Sequence, residues 1–341
     1  MTVKTIYVEI TNQCNLNCIT CYNRSGANKN RKEISKKQIK DIINLFIPLG
    51  MNRFLISGGE PTLHIEFNDI IQLIDEYPKI SFGIVTNGTN HNDKLIEFLN
   101  TRSNLTLQIS LDGSSEDQNS KTRGIGHFYR VIEFIEKIHN PNTIPLLKMV
   151  ISQNNYHDIE NFYELAVSLN CIPEFAFIYK SGNGIDDWNN KMITAQQEIK
   201  AVKLIDNLNM KHNIKAFLPL CTNKCSYISN NDNLSFCIKV DGAIQPCQSL
   251  YDDKFSIGNV FNFDVGGINK KIENIIGLAQ KRLSIDYGCS KCILKSGCYK
   301  GCMANAVYLN SDPLAGDGLC EFRKLQFIGY DLKGVISRKN E

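Results

Sequence analysis

The sequence predicts an α/β fold: a partial, TIM-like (β/α)6 barrel over residues 1–215, then a small cysteine-rich module over residues 216–341. Three observations lead there. Through the first part, short apolar runs alternate with helical patterns at a period of about 30 residues, as βαβ units around a parallel sheet require. Six such units fall short of the eight that close a barrel. Past residue 215 the helical periodicity stops, and nine of the 13 cysteines crowd between Cys221 and Cys320.

Strands are read at Ile6–Ile10, Phe54–Ser57, Ile80–Thr86, Leu105–Leu111, Leu146–Ile151 and Phe175–Tyr179. After the first, Ser35 and Gln38 make a capping box, Ile39, Ile42, Ile43, Phe46 and Ile47 keep helical spacing, and Gly50 stops the helix. Further helices are expected near His127–His139, Tyr156–Asn170 and Thr194–Lys211. The Gly-, Asn- and Asp-rich Ser181–Asp187 reads as a solvated, mobile loop over the barrel mouth. In the tail, Phe236–Cys247 reads as a hairpin with Asp241-Gly242 at its turn.

Composition narrows the function. With 43% hydrophobic and 21% charged residues, the 341-residue chain is a globular protein, and a net charge of +3 is too small to argue for nucleic acid or an anionic membrane as partner. No apolar run of about 18 residues spans a bilayer, and the start lacks a signal-peptide core. A reducing, cytoplasmic compartment is expected, where an odd set of 13 cysteines suits metal ligation better than disulfides.

The chemistry begins at Cys14, Cys18 and Cys21, a C-x3-C-x2-C triplet. Three thiolates from one short loop suit an iron–sulfur cluster with one iron left open; a structural site completed from elsewhere is the competing reading. Chemistry in parallel α/β folds gathers at the carboxyl ends of strands. There lie Gly58-Gly59-Glu60-Pro61, Asn87-Gly88, and Ser110-Leu111-Asp112, with Arg123 beyond. Paired glycines permit close backbone approach, Glu60 can accept from an ammonium group, Ser110 and Asp112 can meet ribose hydroxyls, and Arg123 can pair with a carboxylate. Each segment also has a plain reading, as a βα turn or a solvated loop.

The triplet ending in Cys21-Tyr22 resembles the signature of the radical S-adenosylmethionine (SAM) enzymes. The resemblance implies a [4Fe-4S] cluster on Cys14, Cys18 and Cys21, with SAM chelating the free iron and yielding a 5'-deoxyadenosyl radical that abstracts hydrogen. It implies that the Gly58-Gly59-Glu60 segment holds the SAM amine, that Asn87, Ser110, Asp112 and Arg123 complete the SAM site, and that Val150, Ile151 and the Tyr22 backbone meet adenine.

Cys289-x2-Cys292-x5-Cys298-x3-Cys302, preceded by Gly242-x4-Cys247 and followed by Cys320, resembles the SPASM domain found behind such barrels. That resemblance implies two auxiliary [4Fe-4S] clusters, three in all. One takes Cys289, Cys292, Cys298 and Cys320; the other takes Cys247 and Cys302, completed by Cys221 and Cys225, with Cys237 as a competitor because the spacing before Gly242 departs from the family pattern. Zinc is the alternative metal for the tail. Cys171 is expected in the core, and Cys237 either packs or donates hydrogen to a substrate radical.

SPASM modules accompany peptide modification, so oxidation, cross-linking or epimerisation of a ribosomal peptide is the leading expectation. A flavodoxin- or ferredoxin-like electron donor goes with it. The first strand begins almost at Met1, so no separate leader-gripping domain is expected before it. Sulfatase-maturating enzymes carry an aspartate directly after the G-x4-C cysteine, where this chain has Gln248. The alternatives are a sugar or aminocyclitol dehydrogenase or epimerase, and a non-catalytic iron–sulfur electron-transfer scaffold.

Overall fold

The computed structural model describes residues 2–28, 30–103, 105–214, 225–229, 233–292, 294 and 298–325. Its elements run β1 (Val3–Glu9), α1 (Lys36–Phe46), β2 (Arg53–Ser57), α2 (Phe67–Ile71), α3 (Leu73–Glu76), β3 (Ser81–Thr86) and α4 (Asp93–Thr101). Next come β4 (Leu105–Ser110), α5 (Glu116–Arg123), α6 (His127–Glu136), β5 (Leu146–Ile151), α7 (Ile159–Ser168), β6 (Ile172–Phe177), α8 (Trp188–Lys191) and α9 (Ala195–His212). The tail holds α10 (Ser226–Ser229), β7 (Leu234–Ile238), β8 (Ala243–Gln245), β9 (Gly258–Asn259), α11 (Val265–Ser284) and α12 (Met303–Asn310).

One sheet holds all nine strands in the order β6-β5-β4-β3-β2-β1-β7-β8-β9. The six βα strands step in one direction, as in a barrel, and the sheet stays open because its order ends at β6 and β9. Strand registers align Ile6, Phe54 and Phe82, and Val8, Ile56 and Ile84, on one face. These pack with Ile39, Ile42, Ile43 and Phe46 of α1 and Phe134 of α6 in the main core. The 2-residue period therefore turns Tyr7, Glu9, Lys148, Glu174 and Cys237 to the opposite, concave face.

α1 starts where its side chains dictate: Ser35 accepts from the Gln38 amide while Gln38 accepts from the Ser35 amide. Thr194 and Gln197 repeat this capping box at α9. Strand six lies three residues earlier than the apolar pattern suggests, at Ile172–Phe177. Pro173 and Glu174 interrupt that pattern, and the position at the sheet edge tolerates the proline.

Two expectations for the rest of the chain need correction. Helical periodicity does not stop at residue 215, because α11 is a 20-residue helix. Its Ile268, Ile272, Ile275 and Ala279 form a buried stripe, and Asp264 caps the amides of Gly266 and Gly267. Gly266, Gly267 and Gly277 dilute the pattern, while tertiary burial of the stripe stabilises the helix. The Ser181–Asp187 loop is no free lid either, since it is bonded to the cysteine loop as described below. The expected division at 215/216 lies outside the described residues; across it the sheet is continuous, since β7 pairs parallel with β1. Beyond β7 the expected hairpin forms, with Gly242 at φ 82° and β8 antiparallel to β7.

Candidate active site

The loop after β1 carries Cys14, Cys18 and Cys21 and is braced on three sides. From the β2 side, the Gly59 amide donates to Thr11 O at 2.8 Å and the Glu60 amide to Gln13 O at 2.7 Å. A Cβ on Gly58 would sit 2.4 Å from Thr11 O, and one on Gly59 would sit 2.2 Å from Gln13 O. The paired glycines thus serve a close approach to the cysteine loop. From α5, Thr122 O accepts the Ile19 amide at 3.1 Å. From beyond β6, the Asn183 amide donates to Cys21 O at 2.8 Å, its Nδ2 to Cys18 O at 2.9 Å, and Lys191 Nζ to Ile19 O at 3.1 Å. Arg24 closes this side with an ion pair to Asp186.

Gly182 is the tightest point of that third brace. Its φ is 55°, and an added Cβ would lie 2.3 Å from Cys21 O. Gly182→Ala is therefore expected to bind markedly less iron on the N-terminal cysteines while iron on the C-terminal ones stays. Iron per chain after anaerobic reconstitution measures this; an undiminished value would show that the contact yields.

The three thiols lie within electrostatic reach of one another. Burial pushes the Cys14 thiol up to about 12, and the nearby Glu60, Cys18 and Cys21 add to it. Cys18 is raised by burial too, partly offset by Arg123, whose Nη1 lies 3.9 Å from its Sγ. Thiols buried this way stay protonated unless a metal displaces the proton. A donor set of three neighbouring thiols from one loop, none in a disulfide, fits by its chemistry a four-iron cluster that leaves one iron to another ligand.

Behind the cysteines, a buried polar network ties the strand-end loops together. Glu60 Oε1 accepts from the Thr62 amide and hydroxyl and from the Thr86 hydroxyl, and its Oε2 accepts the Asn87 amide. Asn87 Nδ2 donates to Asn15 Oδ1 at 3.0 Å and lies 3.9 Å from Cys14 Sγ. His127 Nε2 meets Asn87 O at 2.8 Å, and its Nδ1 meets Asn119 Nδ2 at 2.9 Å. Asn119 Oδ1 accepts the Asp112 amide. Asp112 accepts the Val150 amide on Oδ1, while its Oδ2 lies 2.8 Å from Arg123 Nε. Asn155 Nδ2 closes the network on Asp112 O and Val150 O.

Glu60 and Asp112 are both 0% exposed, and their carboxylates have partners within the protein: Glu60 bonds the Asn87 loop, and Asp112 pairs with Arg123 beside Cys18. Ser110 and Val150 lie half-buried on the concave face at the ends of β4 and β5. Tyr22 packs its ring edge-to-face on Tyr251 at 5.9 Å, and its carbonyl lies against Gly182. His127, Asn119 and Asn155 are contributors that pattern reading missed, because polar residues in loops and helix ends look solvent-facing until burial is known.

Only a neutral His127 with Nε2 protonated can donate to Asn87 O and accept from Asn119. Burial lowers its pKa to about 3, helped by Arg123. Since the unfolded imidazole titrates near 6.5, the unfolded chain binds the extra proton first as pH falls. The His127 contribution is full above about pH 6.5 and declines progressively toward about pH 3. Denaturation curves of His127→Gln across this range should show a shallower acid loss of stability than the parent; parallel curves would remove His127 as the cause.

The concave face continues the site toward β7 and β8. Glu9 is 4% exposed, accepts from Tyr251 Oη and Asn23 Nδ2, and is raised to about 7 by burial. Cys237 is 1% exposed beside it and registers with Tyr7. Lys148 and Glu174 pair across β5 and β6 at 2.9 Å.

In the tail, Cys247 lies with Cys302 and Cys225, whose thiols add to the burial that pushes it up to about 12. Separately, Cys320 lies with Cys298 and Cys289, and Cys292 follows Cys289 by one tight turn, its amide on Cys289 O at 3.1 Å. Cys221 lies outside the described residues. Cys171 sits in the core at 3% exposure, apart from both groups. Among the described residues no helix is long and apolar enough to cross a membrane.

Comparison with known proteins agrees with this architecture. Residues 8–166 match the Radical SAM superfamily. The chain is 26% identical over 325 residues to the mycofactocin maturase MftC of Mycolicibacterium smegmatis, covering 90% of this chain and 80% of that one. Over 256 residues it is 25% identical to the sporulation killing factor maturation protein SkfB of Bacillus subtilis, covering 71% and 59%. Among solved structures, Streptococcus suis SuiB bound to S-adenosylmethionine superposes with a TM-score of 0.77 at 16% identity, over 94% of this chain and 77% of that one. Native anSMEcpe with bound AdoMet and the Cp18Cys peptide gives 0.78 at 17% identity, over all of both chains. At such identities the structural likeness speaks for the fold.

Proposed function

We propose that this chain, whose residues 8–166 match the Radical SAM superfamily, is a radical SAM enzyme of the SPASM type that matures a ribosomally made peptide by oxidation, cross-linking or epimerisation. The observation that carries the reading is the braced loop that gathers Cys14, Cys18 and Cys21 at the carboxyl mouth of the sheet. These three would hold a four-iron cluster. With SAM bound, that cluster supplies a 5'-deoxyadenosyl radical for hydrogen abstraction. The chain's own part is to orient and exclude water: Asn87 and Arg123 flank the cysteines, Asp112 fixes Arg123, and Glu60 fixes the Asn87 loop.

Support for a maturation role comes from MftC and SkfB, which are named for the maturation of mycofactocin and of a sporulation killing factor. Cys247, Cys302 and Cys225, with Cys221, would carry one auxiliary four-iron cluster; Cys289, Cys292, Cys298 and Cys320 would carry the other. Residues 216–341 then form the auxiliary module, and a flavodoxin- or ferredoxin-like protein delivers the electron. Cys237, which shares the concave face, would return hydrogen if the outcome is epimerisation.

The test is co-expression, under anaerobic conditions, with each short peptide encoded beside the gene, followed by mass spectrometry. Loss of two hydrogens indicates oxidation or cross-linking, and one deuterium taken up from D2O at unchanged hydrogen count indicates epimerisation. A second reading, a sugar or aminocyclitol dehydrogenase or epimerase, draws on the charged concave pair Lys148 and Glu174. Unaltered peptides together with turnover of an aminocyclitol would establish it instead.

A further inference from the structure

Arg282 is the largest fully buried side chain among the described residues, at 1% exposure near the end of α11. Its Nε donates to Ala315 O at 2.7 Å, its Nη1 to Gly301 O at 2.8 Å, and its Nη2 to Lys300 O. Lys300 Nζ reaches back to Arg282 O at 2.7 Å. From the other side, Asp317 Oδ2 accepts the Cys302 amide at 3.0 Å and pairs with Arg323. Lys300 and Gly301 both take positive φ, 58° and 69°, and a Cβ on Gly301 would lie 1.9 Å from Asp317 Oδ2. The turn into Cys302 is thus gripped on both sides of its peptide bonds.

Among the described residues the charges of this grip do not balance. Arg282, Lys300 and Arg323 are buried cations, and Asp317 is the buried carboxylate among them. Glu198 of α9 faces Asp317 and Arg323, but burial raises it to about 8, so it is protonated at neutral pH. Burying surplus positive charge is costly unless an anion meets it. Cys302 and Cys225 lie within electrostatic reach of Arg282, and Cys247 lies with them. A four-iron cluster on thiolates is anionic and becomes more so on reduction.

We propose that Arg282 is a positioning residue for the Cys225, Cys247 and Cys302 site, where it holds the Cys302 turn and presents a fixed positive charge that favours the reduced auxiliary cluster. The inference rests on the reading that this site carries such a cluster. Net charge around a cluster is one determinant of its potential. Arg282 would thereby make the site a better electron acceptor.

The test is a reductive titration with dithionite, followed by electron paramagnetic resonance, in a chain with Cys14, Cys18 and Cys21 replaced by alanine. In that background Arg282→Gln should lower the reduced-to-oxidised ratio of one cluster about tenfold at the parent midpoint, about 59 mV for one electron, and leave the other cluster unmoved. Arg282→Lys should restore most of the shift. Asp317→Asn keeps the acceptor for Cys302 while removing a negative charge, so it should shift the same cluster the opposite way. Unmoved potentials at full iron, or equal shifts in the Gln and Lys variants, would overturn the proposal. Should Arg282→Gln lose iron, the sign of the Asp317→Asn shift decides. Zinc in place of iron, with no reducible signal, overturns the auxiliary-cluster reading and this inference with it.

Discussion

Replacing Cys14, Cys18 and Cys21 together by alanine is expected to abolish 5'-deoxyadenosine formation and to lower bound iron from about 12 to about 8 per chain. The reason is local. All three thiols come from one loop, and the described cysteines of the tail group among themselves, so the tail sites should load without the first. Iron, sulfide and zinc per chain, measured beside dithionite-driven SAM cleavage, check both parts. A parent value near 4 with zinc in the tail would remove the auxiliary electron acceptors and, with them, an oxidative outcome. Surviving SAM cleavage in the triple variant would place the chemistry elsewhere.

Asp112→Ala should produce the largest loss of stability of any single change at the mouth. Asp112 is 0% exposed and lies 2.8 Å from the buried Arg123, so truncation leaves a guanidinium without its counter-charge and the Val150 amide without its acceptor. Removing one partner of such a pair costs about 3–5 kcal/mol, whereas replacing both by apolar groups costs far less. The pair Asp112→Leu with Arg123→Met should therefore be closer to the parent in denaturant than Asp112→Ala alone. Binding of SAM to the reconstituted protein should be weakened in both variants, since Arg123 flanks Cys18. A single variant as stable as the parent would mean that solvent reaches this pair and screens it.

How far these roles were legible differs residue by residue. Cys14, Cys18 and Cys21 could be read directly, because ligand type and spacing within one loop do not depend on the rest of the fold. The capping box of α1 was equally local. Glu60 and Asp112 were legible as important but not in their internal partners. Their carboxylates bond to Thr86, Asn87, Arg123 and Val150, groups brought near by strand order and invisible to spacing. α11 was missed for a different reason: its four-residue apolar stripe is diluted by glycines, and only burial against the sheet selects the helix.

By itself, then, the sequence determined the βα alternation, the cysteine triplet of one loop and the loops that meet at the mouth. Each of these follows from residue type at short separation. Tertiary structure decided that β7 joins β1 in one sheet and that Gly182 clamps the cysteine loop. It also decided that Arg282, an ordinary helix residue by position, is buried against the Lys300-Gly301 turn that leads into Cys302. Those outcomes turn on which polar groups lose water and which partners then replace it, and long-range packing alone sets both.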